Sequence, residues 1–445
     1  MHKMSEDVEI ASKPRKNSRW QTTRIPASIQ HDYATTVGAQ VLTIGAGLVL
    51  FHLVARRASV EGFAYYQVAR GMIATLQPAA MIGLVLGLQR YLPRAGRTMR
   101  SLARRAFVVQ LIAVGLIGVL GFALARDIGR LLGINDGNRP VQAILVALAG
   151  TCLWSLSIAA LRGSGQVVLS NTMWILGLGV VPILAFLLVR TMESFLALQG
   201  AGMSAVAVWG IAAVRWKRPD GWVENQGRPA PNLRTLLTYG IRRTPGDIAL
   251  PALFSFPTFF VASSTQGGPE AGYVGFATSA VMLICAAFGM LTPVLLPRLS
   301  SQLARPVVAS SLWAGLRMLP IAAVCLATSA TAILFFCAPT VIRVFLGEEF
   351  AGAVPLLRLG LLASIPLVAF YAARPTLDAL QDAPVTVKLL LGCFVLEVVV
   401  TYLGGHFLAP ASAAVLGLGI AAGALGILSY FALILAVRTA EAKSA

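Results

Sequence analysis

The chain has 445 residues, of which 57% are hydrophobic and only 12% are charged, and its mean hydropathy is +0.76. A soluble domain carries about 25% charged residues, so a soluble protein of this composition could not cover its surface with polar groups. The net charge of +18 does not indicate nucleic-acid binding, because the Lys and Arg residues lie between apolar runs. The composition therefore excludes a soluble protein and predicts a multi-pass membrane protein.

Apolar stretches of about 20 residues, the length that crosses a bilayer, fill most of the chain after residue 33. Six of them lie near 35–55, 68–89, 106–125, 141–161, 170–190 and 195–214. Six more lie near 240–263, 272–296, 312–337, 352–373, 386–406 and 410–437. Between the two sets, 215–238 has the charged, Pro-containing composition of a linker.

The predicted fold is an all-α transmembrane bundle of about twelve spans in two pseudo-symmetric halves. The basic segment 1–33 lacks the apolar core of a signal peptide, which predicts a disordered cytoplasmic tail. The remaining predicted segments are a six-helix bundle at 34–214, a cytoplasmic linker at 215–238, a second six-helix bundle at 239–437, and a short cytoplasmic tail at 438–445.

The distribution of positive charge predicts the orientation. With the N-terminus in the cytoplasm, about three quarters of the 36 Lys and Arg residues fall on the cytoplasmic side. One missed or added span would scramble this bias. Charge therefore favours an even number of spans with both termini in the cytoplasm.

An internal repeat relates the two halves, because three short segments recur in the same order. The pairs are EGFAY at 61–65 with EAGY at 270–273, LPR at 92–94 with LPR at 296–298, and RLLG at 130–133 with VFLG at 344–347. Six spans separate the members of a pair, so both halves enter the membrane in the same direction. Transporters often bind substrate where such repeats meet.

Polar side chains recur on the first two spans of each half, where they are costly and are therefore functional candidates. Their spacing in spans one and two places them on one face of each helix. Facing one another, these helices are predicted to line a hydrated, cationic cavity between the halves. The predicted substrate-binding residues are Gln40, Thr43, Gln67, Arg70, Gln77 and Arg243.

Two carboxylates within predicted spans, Asp247 and Glu397, are the candidates for ion coupling. Simpler roles remain open for Arg243: it is either a helix-end anchor whose side chain reaches the aqueous interface, or the i,i+4 partner of Asp247. We expect Arg70 to lie about one turn inside span two, where a functional role is favoured over anchoring.

The sequence lacks enzyme signatures. It has no G-x-x-x-x-G-K-[ST] phosphate loop, no H-E-x-x-H pair, no aspartate-rich site and no metal-ligand spacing among its five cysteines. We therefore predict a protein that is not an enzyme and that uses no cofactor or metal. Transport would draw on an ion gradient or the membrane potential, because no predicted extramembrane segment is long enough for an ATPase domain.

Three segments resemble those of polysaccharide exporters. VARRA at 54–58, followed by EGFAY at 61–65, resembles their first loop, and ALRGSG at 160–165 resembles their LRG-x-G turn after span four. VFLGEEF at 344–350 with AVPLL at 353–357 resembles their segment before span ten. In this order, against twelve spans, the chain is similar to the O-antigen and exopolysaccharide flippases of the multidrug/oligosaccharidyl-lipid/polysaccharide exporter superfamily.

This resemblance implies two six-helix bundles facing each other in a V in the bacterial inner membrane. It implies that an undecaprenyl-diphosphate-linked oligosaccharide moves from the cytoplasmic to the periplasmic leaflet by alternating access. Proton or sodium coupling and a polysaccharide polymerase partner are expected, and nucleic acid is not. A cationic cavity suits this substrate, because arginine makes bidentate contacts with phosphate.

Other functions stay open at this point. A cation-coupled multidrug antiporter of the same superfamily would favour acidic residues in its cavity, and this chain has few carboxylates within spans. A peptidoglycan-precursor flippase usually has two more spans. A membrane polysaccharide polymerase or ligase usually carries a long periplasmic loop, and the predicted outer loops are short.

Overall fold

The structure is a computed structural model that describes residues 27–134, 138–214, 216, 231–289, 310–380 and 385–444. Within these ranges the chain forms helices and turns and no β-strand, which confirms the predicted all-α class. The first half contains α1 (Ala27–Arg57), α2 (Val60–Met81), α3 (Leu84–Tyr91), α4 (Met99–Ala123), α5 (Ala125–Leu131), α6 (Arg139–Gly163), α7 (Val167–Ile175), α8 (Val181–Leu188) and α9 (Met192–Ala213). The second half contains α10 (Leu233–Ile241), α11 (Thr244–Ser264), α12 (Pro269–Gly289), α13 (Ser310–Phe345), α14 (Ala353–Leu362), α15 (Ser364–Leu380), α16 (Val385–Gly404) and α17 (Pro410–Ser444).

The predicted number of spans is confirmed. Eleven helices of the described chain are long and apolar enough to cross a membrane, and a twelfth results if the bent pair of α2 and α3 is one span. A short π-helical turn joins α7 and α8 into one span, and α14 and α15 form another. The twelve follow the order of the twelve predicted stretches.

Several predicted boundaries differ from the helices. Helix α1 already begins at Ala27 and α10 at Leu233, inside the segments predicted as tail and linker, and α17 continues to Ser444. The residues 1–26 of the predicted tail, most of the predicted linker and the LPR motif at 296–298 lie outside the described residues.

Helix α2 ends at a 55° bend that brings the two halves together. Pro78 removes a backbone donor just before the bend, and Ile82 (φ 48°) and Gly83 (φ 68°) adopt left-handed backbone. Glycine is required at position 83 because a Cβ there would lie 2.6 Å from the carbonyl oxygen of Gly240. We call this end of the bundle, which carries Arg90, the Arg90 end.

A second glycine contact joins the halves at the opposite end, here the Arg56 end. Gly133 (φ 67°) follows α5, and Gly267 (φ 82°) follows α11. A Cβ on Gly267 would lie 2.5 Å from the carbonyl oxygen of Gly133, and a Cβ on Gly133 would lie 2.6 Å from the backbone nitrogen of Gly267. The halves therefore touch through backbone at both ends.

Between these ends, α2 packs on α11 and α12 of the other half, whereas α1 packs mainly on α7 and α8 of its own half. Small residues on α12 allow the close approach. A Cβ on Gly272 would lie 3.2 Å from Phe63 Cδ1, and a Cβ on Gly275 would lie 2.6 Å from Gln67 Cβ. This packing places the polar face of α2 in the interface between the halves.

Candidate functional site

Arg70 lies farther from the start of its helix than the sequence indicated. Helix α2 begins at Val60 and not near residue 68, so Arg70 follows the helix start by about 15 Å at 1.5 Å per residue. Arg70 is therefore about three turns from the start of α2 and not one. It lies near the middle of this helix, which ends at Met81.

Neutral groups hold the Arg70 guanidinium where α1, α2 and α12 meet. Its Nη1 donates a hydrogen bond of 3.0 Å to Ser279 Oγ on α12, and its Cζ lies 4.8 Å from the ring centroid of Phe51 on α1. No carboxylate of the described residues lies within 4.0 Å of it. Arginine has five N–H donors, so most of its hydrogen-bonding capacity and its full charge remain available to a ligand.

Gln67 lies one turn from Arg70 on the same contact with α12. Its side chain is only 4% exposed, and its Nε2 has no hydrogen-bond partner among the described residues. A buried donor without a partner costs roughly 1–3 kcal/mol, which a ligand oxygen could recover. Gln67 and Arg70 thus form a pair of hydrogen-bond donors at the interface between the halves.

The other predicted residues of the first half form no hydrogen bond with Arg70 or Gln67 in the described chain, and two of them are hydrogen-bonded within their own half. Gln77 Nε2 donates to Ser155 Oγ on α6 at 2.7 Å. The Thr43 hydroxyl donates to the Ala39 carbonyl of its own helix, and Gln40 is half-buried on α1. The predicted polar stripe of α1 also continues into a hydrogen bond with α7, where Asn171 donates to Thr36 Oγ1 at 3.1 Å.

Arg243 lies at the Arg90 end, far along the bundle from Arg70. Its side chain is exposed, and its Cζ lies 5.1 Å from the Tyr239 ring centroid. The i,i+4 ion pair with Asp247 does not form within 4.0 Å in the described chain. The structure therefore fits the helix-end position and not the simple ion pair.

Asp247 belongs instead to a polar cluster that sequence reasoning missed. It is half-buried and interacts electrostatically with Arg374, Arg243 and Asp378. Arg374 Nε lies 3.6 Å from Asp378 Oδ2, and Thr386 donates a hydrogen bond of 3.0 Å to Asp378 Oδ1. The i,i+4 spacing of Arg374 and Asp378 was the available signal.

Glu397 is fully buried at the contact of α16 with α17. Neither carboxylate oxygen has a hydrogen-bond partner among the described residues, and neither has the Thr401 hydroxyl one turn later. A Cβ on Gly417 of α17 would lie 3.2 Å from the Glu397 carbonyl oxygen, so the two helices are in close contact here. An unpaired carboxylate in such a place is stable only when it is protonated or neutralised by a cation.

A metal cluster is not part of this arrangement. Among the described residues, no group of three or more His, Cys, Asp or Glu side chains could hold a metal ion. The chemistry of the site is thus that of hydrogen-bond donors and one cation inside a membrane, together with a separate buried carboxylate.

Comparisons with known proteins agree with this architecture. The sequence model of a family described as "Polysaccharide biosynthesis protein" matches residues 31–302. No curated protein has significant sequence similarity to the chain.

Solved structures of membrane transporters have the same fold. An inward-facing multidrug resistance MATE family transporter of the MOP superfamily has a TM-score of 0.71 at 14% identity, over 93% of this chain and 100% of that one. An outward-facing MATE transporter has a TM-score of 0.62 at 14% identity, over 94% and 96%. The lipid II flippase MurJ in an inward closed conformation has a TM-score of 0.65 at 13% identity, over 91% and 87%.

Proposed function

We propose that this chain, which belongs to the polysaccharide biosynthesis protein family, is a flippase for an undecaprenyl-diphosphate-linked oligosaccharide. It would move this lipid across the bacterial inner membrane for surface polysaccharide synthesis, with both termini cytoplasmic and a polysaccharide polymerase as a partner. Its fold, shared with MATE transporters and a lipid II flippase, supports transport over an enzymatic activity.

The observation that carries the proposal is Arg70, a cation near the middle of α2 that is held by neutral partners. A diphosphate that crosses a bilayer needs opposite charge along its path, because its desolvation is costly. At 4 Å and an effective dielectric constant of 20, one such charge pair contributes about 4 kcal/mol. The unpaired Gln67 amide beside it would donate a further hydrogen bond.

The lipid tail need not enter the protein in this scheme. Arg70 lies where α1 meets α12, and these helices touch at Phe51 and Phe276, whose ring centroids are 6.4 Å apart. The outer side of α1 exposes large apolar side chains, among them Val41 and Leu42. The tail would remain in the bilayer beside α1 while the diphosphate passes Arg70.

Energy for directional transport would come from a proton or sodium gradient acting on Glu397, with Asp247 as the second candidate. The buried, unpaired Glu397 carboxylate would alternate between a neutralised state and a charged state that favours another conformation.

The test replaces Arg70 in cells that depend on this chain for surface glycan. Arg70→Ala should abolish the glycan and leave lipid-linked oligosaccharide in the cytoplasmic leaflet, at wild-type protein level in the membrane. Arg104→Ala, an exposed arginine of α4 outside the interface, is the matched control and should leave glycan unchanged. Wild-type glycan in the Arg70→Ala strain would refute the assignment.

A cation-coupled multidrug antiporter is the second candidate, favoured by the likeness to MATE transporters and by the buried Glu397. Deletion of the gene separates the two. The flippase predicts loss of glycan with accumulated lipid-linked oligosaccharide, whereas the antiporter predicts unchanged glycan and raised drug sensitivity.

A further inference from the structure

An arginine–tyrosine cluster joins the two halves at the Arg90 end. Two guanidiniums lie over the Tyr239 ring, with Arg90 Cζ at 4.6 Å and Arg243 Cζ at 5.1 Å from its centroid. The Tyr91 ring packs edge-on against Tyr239 at 5.6 Å, and Arg94 Cζ lies 5.9 Å from Tyr91. We refer to these five residues as the arginine–tyrosine cluster.

The cluster concentrates positive charge, and the described counter-charge that acts on it, Asp247, interacts with Arg243 only beyond ion-pair distance. The side chains of Arg90, Arg94 and Arg243 are all exposed, and no described carboxylate lies within 4.0 Å of them. Like charges held close together repel, and an anion that contacts them together relieves that repulsion. The tyrosine rings orient the guanidiniums, and Arg90 also forms a hydrogen bond with the Tyr239 side chain. Each guanidinium has five N–H donors, so most of them remain available to an anion.

The backbone beneath the cluster is fixed by close packing. The bend at Gly83 sets the direction of α3, and its backbone contacts Gly240. One turn later, a Cβ on Gly87 would lie 3.2 Å from Leu236 Cβ on α10, and Leu236 is fully buried. These contacts fix α3 of the first half against α10 of the second, so the cluster residues of both halves form one surface.

An apolar cavity of about 430 Å³ begins where the cluster ends. Ile82, directly before Gly83, lines it from the first half, and Ile241, Pro245 and Ile248 line it from the second. Phe394 of α16 closes another side. Ile241 lies between Tyr239 and Arg243 in the chain and is 53% exposed, so the cavity opens to the outer surface of the bundle beside the cluster. Its volume falls in the range of about 300–1,000 Å³ that is usual for ligand sites.

We propose that the cluster and the cavity form one loading site for the polyprenyl-diphosphate end of the lipid-linked substrate. The diphosphate contacts Arg90, Arg94 and Arg243, and the isoprenoid units next to it occupy the apolar cavity. The arginines and the apolar cavity are adjacent, just as the diphosphate and the isoprenoid chain are adjacent in the lipid. The inference rests on the proposed function and adds a site that the substrate occupies before it reaches Arg70.

Binding of undecaprenyl diphosphate to the purified full-length protein in detergent tests the site directly. The Arg90→Ala/Arg243→Ala double variant should bind it at least about tenfold more weakly, because charge-assisted hydrogen bonds are lost. Arg104→Ala, exposed at the same end of the bundle, should bind like the wild type. Wild-type affinity in the double variant would overturn the proposal.

A photoreactive undecaprenyl diphosphate tests the tail on the wild-type protein, so that folding of a variant is not at issue. Labelled peptides should contain Ile82, Ile248 or Phe394, and unlabelled undecaprenyl diphosphate should compete far better than phosphatidylglycerol. Labelling confined to other spans, or equal competition by phosphatidylglycerol, would overturn the proposal in favour of general anionic-lipid binding.

Transport in proteoliposomes separates failure of this inference from failure of the proposed function. The double variant should raise KM for lipid-linked oligosaccharide about tenfold or more while its maximal rate stays close to wild type, because Arg70 is intact. If the wild type moves the lipid and the double variant matches it, only the loading site is wrong. If the wild type does not move it, the proposed function itself fails.

Discussion

Replacing Gly83 by alanine tests the backbone contact between the halves at the Arg90 end. The new Cβ would lie 2.6 Å from the Gly240 carbonyl oxygen, and φ of 68° would strain the backbone of any L residue. Gly96 is a control for backbone strain without overlap, since its φ is 53° but a Cβ there would meet no heavy atom within 4 Å. Gly240→Ala is the converse control. Gly240 has ordinary helical backbone, and the new Cβ would lie 2.6 Å from the Gly83 carbonyl oxygen.

The three substitutions separate strain from overlap. Left-handed backbone costs an L residue roughly 1–2 kcal/mol, which applies to Gly83→Ala. Gly96 has φ 53° and ψ −123°, a different and sparsely populated region whose cost is roughly 1–3 kcal/mol. Overpacking costs about 1–3 kcal/mol, which applies to Gly83→Ala and Gly240→Ala. We therefore expect losses of stability of about 1–3 kcal/mol for Gly96→Ala, about 1–3 kcal/mol for Gly240→Ala and about 2–5 kcal/mol for Gly83→Ala.

Unfolding by SDS in mixed micelles measures these free energies, and hydrogen exchange of α10 shows how the overlap is relieved. If the halves part at the Gly83–Gly240 contact, amides around the buried Leu236 lose protection while those of α6 keep it. Unchanged stability in Gly240→Ala, with unchanged protection of α10 in Gly83→Ala, would refute the contact.

Two further predictions concern the Ser279 partner of Arg70 and the buried Glu397. Ser279→Ala removes the acceptor that orients Arg70 at 3.0 Å, so transport in proteoliposomes should fall about tenfold, whereas Ser155→Ala, which removes the partner of Gln77, should have a smaller effect. Equal effects of the two would show that Arg70 needs no positioning by Ser279. Glu397→Gln keeps the shape of this fully buried side chain. The amide, however, can neither take up and release a proton nor balance the charge of a bound cation. It should abolish stimulation of transport by a proton or sodium gradient without lowering the melting temperature, and retained stimulation would exclude Glu397 from coupling.

The number and order of spans could be predicted because the thickness of the bilayer sets the length of each apolar stretch. The start of span two could not, since Glu61, Tyr65 and Gln67 lower its local hydropathy although they belong to the helix. Tyr65 donates a hydrogen bond to the Pro140 carbonyl on α6, and Gln67 packs against Gly275 on α12. Only tertiary packing shows these contacts. The position of Arg70 within its helix was misjudged for the same reason.

The partners of the candidate residues lay beyond sequence reasoning. Ser279 and Ser155 are ordinary serines in apolar helices, and nothing near them in the chain indicates that one meets Arg70 and the other Gln77. The arginine–tyrosine cluster likewise joins Tyr91 and Tyr239, which belong to different halves. Patterns within one helix predict which face is polar, but they do not predict what that face meets.

At the Arg56 end, contacts between the halves explain why the repeated segments resemble each other. Phe63 of the first motif contacts Gly272 of its counterpart. The two motifs of the third pair end at Gly133 and Gly347. Gly133 approaches Gly267 of the second half, and Gly347 approaches Arg56 of the first half. Segments near a pseudo-two-fold axis meet copies of themselves or equivalent surfaces, so a change in one must suit the other.

The Arg90 end has no such pairing, because Gly83 of span two meets Gly240, which precedes span seven. Its cluster is also built unequally, with Arg90 and Arg94 from one half and Arg243 from the other. A near-symmetric contact at one end and an asymmetric one at the other would give the transporter a direction. The arginine–tyrosine cluster and the apolar cavity beside it would attract a charged lipid headgroup to the Arg90 end.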